Sequence, residues 1–401
     1  MSPEEAAKII VHMVPQWYFA DHGPNEYDLK VNETPLSFKS IRPLTPDLSR
    51  FRDSAQTLAT AFLDDSTANL PCSADVLREM LAVSWLEQVS RKVNWKKMLS
   101  YVGTLSDRTY ENAPVTVNMI VLPGDAGVQM LDNGAYGKFT DHLASSPFTY
   151  FLVDGELKMV DYCEIEWKKI NSTNSYKFYP EFLVPFQSIM QEGDYSIHLT
   201  RQRDVIVTRK AGDKSGLLAA RRKRQWKIYD VQTFKNAVVG AMCDYAVGAT
   251  IFEVLFDLSF RRHGALLVYD PDNKVIMQVA NPECRIDLTS PTAGRELVAT
   301  AAKRIKLTCG VSSPVINKRL LLELAGIDGA VVFNDSGITA IGAIIKNHDE
   351  ATGQTGARST AAMSAFLHGG KPANVSADGE ICLIFKSVGT NGDCQASMEW
   401  L

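Results

Sequence analysis

Asp328, Gly329 and Ala330 form the first of two loops whose residue types could support chemistry. The loop stands between a helical pattern and the apolar strand pattern VVFND. Glycine and alanine are small enough for a ligand to approach the backbone closely, and the Asp328 carboxylate could bind a metal ion or accept a proton. An Asp-Gly pair before a strand is usually just a turn, so this loop alone is weak evidence for a site.

The second loop spans residues 353–360, reads GQTGARST, and leads into an apolar helix pattern. A glycine-rich loop at a helix start offers N–H groups and the positive end of the helix dipole. Arg358 adds a planar guanidinium suited to phosphate. The hydroxyls of Ser359 and Thr360 could donate to phosphate or cap the helix. Because no Gly-Lys-Ser/Thr follows, the loop is not a Walker motif, and a phosphate site and a capped turn both remain open.

The elements that must position these loops alternate between helix and strand patterns from about Trp226 onward. Residues 228–259 predict helix, and FRRHGALLVYD and KVIMQVA predict two strands around an Asp-Pro-Asp-Asn turn. Two Ser-Pro pairs predict the starts of further helices, the first with Leu297, Ala301 and Ile305 on one face. We therefore predict an α/β fold whose mixed β-sheet is flanked by helices.

Together the two loops resemble the diadenylate cyclase domain family, which includes the nucleotide-binding domain of the DNA-integrity scanning protein. In that family, Asp-Gly-Ala starts a strand after a helix, and Gly-Thr-Arg-His-Arg-Ala-Ala starts a later helix. Here the first motif is residues 328–330, and the second, residues 356–362, reads GARSTAA. The strand FRRHGALLVYD and the stretch PANVSADGEICLIF also look similar, so the resemblance covers roughly residues 230–390.

The resemblance implies a nucleotidyltransferase that condenses two ATP molecules into the second messenger cyclic di-AMP. It implies Mg²⁺ or Mn²⁺ as cofactor and Asp328 as the catalytic residue. Metal binding would fall to Asp328 and Asp378. The implied nucleotide-binding residues are Gly329, Ala330, Gly356, Arg358, Ser359 and Thr360. Two such domains would meet face to face, so the resemblance also implies a homo-oligomer.

The sequence departs from the family pattern at three places. Ser359 and Thr360 replace the His and the second Arg, Ile327 stands where a His often precedes the Asp, and the late acidic pair is reduced to Ala377-Asp378. Losing two cations predicts weaker or differently arranged triphosphate binding, since each charge-assisted hydrogen bond is worth about 1.5–3 kcal/mol. Two alternatives stand beside the cyclase: a receptor that binds a nucleotide or cyclic dinucleotide without turnover, and a cyclase for another nucleotide pair.

The first half of the chain has a different pattern, in which helices are followed by several β-rich runs from about residue 115. We expect residues 1–225 to form an α+β domain and residues 226–401 to form the cyclase-like domain. The first domain resembles, in its layout, the sensor-type domains that some bacterial relatives place before this module. It would sense a signal and set the alignment of the catalytic units.

Composition and charge exclude several classes of protein. The 401 residues are 45% hydrophobic and 22% charged, which is typical of a soluble globular chain. A net charge of -4 makes a nucleic-acid partner unexpected. We predict that the basic run Arg221–Arg224 is an exposed hairpin edge or linker. Seven scattered cysteines without a C-x-x-C spacing argue against a zinc site or a disulfide framework.

The sequence has neither a signal-peptide pattern at its start nor a long apolar run. A cytoplasmic protein that does not bind a membrane is therefore expected.

Overall fold

The computed structural model describes residues 74–127, 129–131, 145–166, 179–212, 216–229, 231–286, 296–305, 318–351, 356–389 and 392–400, three short strands before them, and a few single positions. The chain divides into two compact units. The first comprises residues 1–172 and 181–231, and the second comprises residues 173–180 and 232–401. None of the helices in the described part of the chain has both the length and the apolar character needed to cross a bilayer.

The first unit combines helices with a large mixed sheet. Within the described residues its helices are Ala74–Val89 (α1), Trp95–Ser106 (α2) and Val184–Ile189 (α3). Its strands are Trp17–Phe19 (β1), Glu26–Val31 (β2), Thr34–Ser40 (β3), Thr109–Tyr110 (β4), Ala113–Pro114 (β5), Val117–Leu122 (β6), Gln129–Met130 (β7), Thr149–Asp154 (β8), Lys158–Glu164 (β9), Tyr195–Leu199 (β10), Val205–Arg209 (β11), Gly216–Arg222 (β12) and Gln225–Ile228 (β13).

The main sheet of this unit has the strand order β13-β12-β11-β10-β6-β8-β9-β7. Strands β6 and β8 are parallel, and the other neighbouring strands are antiparallel. Alternate side chains of the strands join those of α1 and α2 in one apolar core, which includes Trp95, Phe151, Ile197 and Trp226. The opposite face of the central strands carries buried polar side chains, described below.

The basic run Arg221–Arg224 spans the end of β12 and the turn to β13, and half of it points into the unit. Arg222 is 9% exposed, and its Nε lies 3.8 Å from a carboxylate oxygen of buried Asp204. Arg221 donates to the hydroxyl of Ser106 at 2.7 Å. The next two residues have φ of 50° and 67° and make the two-residue turn of a hairpin. The prediction of a fully exposed run was therefore wrong, because the strand conformation directs its first two side chains to partners.

A chain of hydrogen bonds runs through the polar face of β6, β10 and β11. His198 is opposite Asn118, and Ser196 is opposite Thr208. His198 Nδ1 lies 2.9 Å from Asn118 Oδ1, and His198 Nε2 lies 2.8 Å from the Ser196 hydroxyl. Ser196 and Thr208 hydroxyls are 2.6 Å apart, and the Gln187 amide donates to Thr208. Because an amide oxygen only accepts, His198 carries its proton on Nδ1 and accepts from Ser196 at Nε2.

Because the His198 imidazole is buried, the stability of the first unit should depend on pH. Burial lowers the pKa of His198 from 6.5 to about 3. Above pH 6.5 the imidazole is neutral in both the folded and the unfolded chain, and below it only the unfolded chain takes up the proton until about pH 3. The free energy of unfolding should therefore fall by about 1.4 kcal/mol per pH unit across that window through this residue alone.

The measurement is urea unfolding of the native chain and His198→Gln at several pH values within this window. In His198→Gln the free energy of unfolding is expected to depend less steeply on pH, by about 1.4 kcal/mol per pH unit, whatever the stability of the variant at neutral pH. An unchanged slope in His198→Gln would contradict the prediction.

The second unit is a mixed sheet with helices, and this confirms the predicted α/β class at that level. Within the described residues its helices are Val231–Met242 (α4), Tyr245–Arg261 (α5), Lys274–Met277 (α6), Glu296–Arg304 (α7), Lys318–Ala325 (α8) and Ala357–Leu367 (α9). Its strands, in the spatial order β16-β15-β14-β17-β18-β19, are Ala265–Tyr269 (β14), Ala330–Asn334 (β15), Gly337–Ala343 (β16), Lys371–Val375 (β17), Ile381–Gly389 (β18) and Gly392–Trp400 (β19). The boundary predicted at residues 225 and 226 falls within β13, which pairs with β12 of the first unit.

The long helical stretch predicted over residues 228–259 is two helices. Cys243 has a φ of 53°, which ends α4. Asp244 then caps α5 by accepting the N–H of Val247 at 2.8 Å. The two helices cross closely, since a Cβ on Gly248 would lie 2.5 Å from the Cα of Val239. Nearly all of α5 is buried, so this helix forms the centre of the unit.

The predicted strand KVIMQVA is a short helix, α6, followed by irregular chain. The buried carboxylate of Asp270 accepts the N–H groups of Lys274 at 2.9 Å and Ile276 at 2.8 Å. These bonds satisfy the first-turn donors of a helix. A side chain outside the segment therefore overrides the β-propensity of its valine and isoleucine residues.

The inner face of α7 also differs from the prediction. Leu297 is 86% exposed, whereas Ala299, Ala302 and Ile305 are buried. Ala301 is half-buried. The buried residues recur every three positions, so the helix is rotated relative to the face predicted through Leu297, Ala301 and Ile305. The Ser-Pro pairs predicted to open α7 and α8 lie outside the described residues.

Candidate functional site

Strand register places the two loops at the same edge of the sheet. The central strand β14 runs parallel to β15, with Leu266 opposite Ala330. It runs antiparallel to β17, with Ala265 opposite Val375. The residues directly before β14 and β15 and directly after β17 therefore lie side by side. Gly264 directly precedes β14, the Asp328 loop directly precedes β15, and the turn that contains Asp378 directly follows β17.

The first loop exposes a carboxylate on a tightly packed backbone. Asp328 is exposed, and its Oδ1 accepts the N–H of Gly329 at 3.1 Å. Gly329 has a φ of 104°, and a Cβ there would lie 2.5 Å from the carbonyl carbon of Gly342. This position therefore requires glycine for both conformation and space. Ala330 is only 1% exposed and belongs to the core, so any contact it makes with a ligand would be through the backbone.

The second loop leads into α9 through Gly356, which has a φ of 95°. Glycine has no side chain with which to cap the first-turn N–H groups, so they are not capped by this residue. The Thr360 hydroxyl donates back to the Gly356 carbonyl at 3.1 Å, so it is a helix-internal bond. Of the two hydroxyls proposed as phosphate donors, Thr360 is thus directed into the helix, and Ser359 is half-buried in the same turn.

Arg358 extends from the first turn of α9 to the start of β14. A Cβ on Gly264 would overlap Arg358 Nη1 and would lie 3.0 Å from its Cζ. The guanidinium therefore packs against the backbone of Gly264, immediately before β14. The half-buried side chain lies at the same edge as Asp328.

The turn between β17 and β18 completes this edge. The Ser376 hydroxyl accepts the N–H groups of Asp378 at 3.2 Å and of Glu380 at 3.0 Å, which fixes the turn. The backbone nitrogen of Ala377 would be 3.3 Å from a Cβ on Gly264, so the turn borders the Arg358 guanidinium. Asp378 itself is exposed.

Asp328, Arg358 and Asp378 are thus brought to one edge from three separate elements. In the described part of the chain, three or more His, Cys, Asp or Glu side chains do not come together as a metal cage. The arrangement offers one guanidinium, a helix start and two separate carboxylates. Such a set can bind a phosphate group through the guanidinium and the helix start, and carboxylate oxygens are ligands for cations such as Mg²⁺.

Sequence reasoning missed His263 and Gly264 as residues of this edge. His263 Nε2 lies 3.4 Å from the Gly326 carbonyl oxygen, in the turn before Asp328. The Arg358 guanidinium packs against the backbone of Gly264, so His263 and Gly264 together contact both loops. The available signal was a glycine placed directly before an apolar strand, in FRRHGALLVYD, where no turn was expected.

The chain is similar to several solved structures, among them the following two. One, from Bacillus cereus, is described as a hypothetical membrane spanning protein, with 17% identity and a TM-score of 0.27, over 42% of this chain and 76% of that protein. The other, a double mutant of DacA from Staphylococcus aureus, has 18% identity and a TM-score of 0.20, over 39% of this chain and 83% of that protein. Likenesses of this size do not establish a shared activity. No family model and no curated protein matches the chain.

Proposed function

We propose that the second unit is a nucleotidyltransferase that condenses two ATP molecules into cyclic di-AMP or a related cyclic dinucleotide. One observation carries the proposal. The Asp-Gly-Ala and Gly-Ala-Arg motifs, which resemble the two signatures of diadenylate cyclases, lie on one edge of one sheet. That placement brings an exposed carboxylate and a guanidinium to a common surface.

Arg358 and the start of α9 are the phosphate-binding part of this proposal. The guanidinium supplies a planar pair of donors, and the first-turn N–H groups add a positive helix end. Gly329 and Gly356 contribute backbone to the site, and Ser359 contributes a hydroxyl beside Arg358. Because the guanidinium is held on Gly264, it meets the phosphate with less loss of side-chain freedom than a fully mobile arginine.

Asp328 is the proposed catalytic residue. The 3′-oxygen of one ATP attacks the α-phosphorus of the other and forms a new P–O bond. The bond between the α-phosphorus and the bridging oxygen breaks, and pyrophosphate leaves with that electron pair. The proton of the 3′-hydroxyl passes to the Asp328 carboxylate. A second, symmetric step closes the ring, so each product molecule is accompanied by two pyrophosphates.

Asp328 and Asp378 would hold Mg²⁺ or Mn²⁺ together with the nucleotide. Two exposed carboxylates on one edge fit a cation that keeps several waters and completes its shell with substrate phosphates, which is how proteins usually bind Mg²⁺. When bound, such an ion supplies charge neutralisation at the phosphates. Asp378 is held for this role by the Ser376 turn.

The proposed reaction also requires two copies of the chain. Each chain presents a single Asp-Gly-Ala loop and a single Arg358 loop, whereas the product needs two nucleotides in opposite orientation. Homo-oligomerisation with the edges facing each other would meet that requirement, and the first unit would control the alignment in response to a signal.

The second candidate is a receptor that binds a nucleotide or cyclic dinucleotide without turnover. It is favoured by the direction of the Thr360 hydroxyl into its own helix and by the exposed Ile327 beside Asp328. Both features leave fewer groups to neutralise a reacting triphosphate. Pyrophosphate release discriminates the two: ATP with Mn²⁺ should yield two pyrophosphates per cyclic product, whereas a receptor would bind ATP and release none.

Arg358→Ala is expected to weaken ATP binding by about 10- to 100-fold, because ground-state phosphate loses a charge-assisted donor. Calorimetric titration with ATP and Mg²⁺ measures this change. Arg261→Ala is the matched control, since Arg261 lies at the end of α5, three residues before Gly264, and pairs only loosely with Glu323 at 3.6 Å. Equal losses in the two variants would contradict a specific role for Arg358.

A further inference from the structure

We infer that Gly264 is a positioning residue for Arg358. Because Gly264 has no side chain, the Arg358 guanidinium can pack directly on its backbone, and we call this space the seat. From the seat the guanidinium can bind phosphate. The role toward phosphate rests on the proposed function. The seat itself rests on contacts within the chain, between the residue before β14 and the first turn of α9.

The backbone conformation does not explain why residue 264 is glycine. Gly329 and Gly356 have positive φ, and Gly264 does not. An ordinary L-residue could therefore adopt its conformation. What excludes a side chain is space: a Cβ would overlap Arg358 Nη1 and lie 3.0 Å from its Cζ.

The neighbouring backbone leaves more room than Arg358 does. The other near atom is the backbone nitrogen of Ala377, at 3.3 Å from the Cβ position, which a small shift accommodates. Guanidinium atoms are the far end of a flexible side chain and move easily. Alanine at position 264 should therefore displace Arg358 and leave the sheet folded.

His263, the residue before Gly264, packs against a glycine of the Asp328 loop in a similar way. A Cβ on Gly326 would lie 2.6 Å from His263 Nε2, so the imidazole fills the space above that glycine. Gly326 precedes Asp328 by two residues and, like Gly264, does not have a positive φ. The start of β14 thus supports both loops, and each contact requires a glycine for space.

A double-mutant cycle tests the seat. Gly264→Ala is expected to lower ATP affinity by about 10- to 100-fold, as Arg358→Ala does. The double variant should bind no more weakly than Arg358→Ala alone, since the two changes remove one interaction. Native affinity in Gly264→Ala, or additive losses in the double variant, would overturn the inference.

A rescue arm separates positioning from general damage. Lysine at position 358 lacks the Nη atoms, and Nη1 is the arginine atom that a Cβ at position 264 would overlap. In an Arg358→Lys background, adding Gly264→Ala should therefore leave ATP affinity unchanged within about twofold, on the usual additivity of independent sites. A further large loss in that background would show that alanine at 264 damages the site itself, and would overturn the inference.

Chemical modification tests the seat without nucleotide. Phenylglyoxal should modify Arg358 several-fold faster in Gly264→Ala than in the native chain, with Arg261 as an internal reference in peptide mass mapping. An unchanged rate at Arg358 would overturn the inference. A faster rate in a chain whose native form does not bind ATP would support the seat and reject the proposed function.

Discussion

Asp328→Asn is expected to reduce formation of a cyclic dinucleotide by about 10²- to 10⁴-fold, the range that proton transfer by a side chain contributes. Asparagine keeps the shape of the side chain and can still accept the N–H of Gly329 through its amide oxygen. It cannot take the proton of a 3′-hydroxyl or neutralise a cation. Nucleotide binding through Arg358 should persist, so the loss is expected in turnover and not in affinity.

This expectation is measured by product formation from ATP and, separately, by ATP titration of the same preparations. Asp272→Asn is the control, because Asp272 follows the opposite end of β14 and is an exposed partner of Lys274. It should keep native turnover. Retention of turnover in Asp328→Asn would remove the carboxylate from the mechanism, and parallel loss of binding and turnover would assign it a binding role instead.

Lys318→Met is expected to lower the free energy of unfolding of the second unit by about 3–5 kcal/mol, the usual cost of breaking a buried ion pair. The Lys318 ammonium lies 2.5 Å from a carboxylate oxygen of Asp257 and 3.4 Å from one of Glu253. Both acids are nearly buried on the central helix α5. Removing the lysine leaves two carboxylates one helical turn apart and without this cation.

Hydrogen exchange of the α5 amides measures this change for the second unit alone. The matched comparison is a triple variant that adds Glu253→Gln and Asp257→Asn to Lys318→Met. It removes the stranded charges and should recover much of the lost protection. Native protection in Lys318→Met would show that the buried pair contributes little, and failure of the triple variant to recover would assign the loss to packing.

The features that the sequence predicted best are those set by local chemistry. A mixed sheet with helices follows from apolar periodicity, and strand β15 and helix α9, which the two motifs open, were predicted as a strand and a helix. Boundaries set by distant side chains were not predicted. The carboxylate of Asp270 turns a valine- and isoleucine-rich segment into helix, and Asp204 and Ser106 draw half of a basic run inward. Apolar periodicity in the sequence does not predict hydrogen bonds or ion pairs with such distant side chains.

The candidate site shows the same limit. Asp328 and Arg358 were predicted because the two loops together resemble the two family motifs, since each loop alone is also compatible with an ordinary turn. Gly264 could not be found in this way, since its role exists only where the start of β14 meets α9. A glycine without a positive φ becomes informative only when the side chain that needs its space is known.

The proposed function is tested most directly by the identity of the product. The purified chain of 401 residues would be incubated with labelled ATP and Mn²⁺, and the products would be separated by chromatography and identified by mass. We expect cyclic di-AMP or a related cyclic dinucleotide, strongly reduced in Asp328→Asn, with a rate per chain that rises with protein concentration because two copies of the chain must meet. A chain that binds ATP and forms no cyclic dinucleotide at any metal or protein concentration would contradict the proposal.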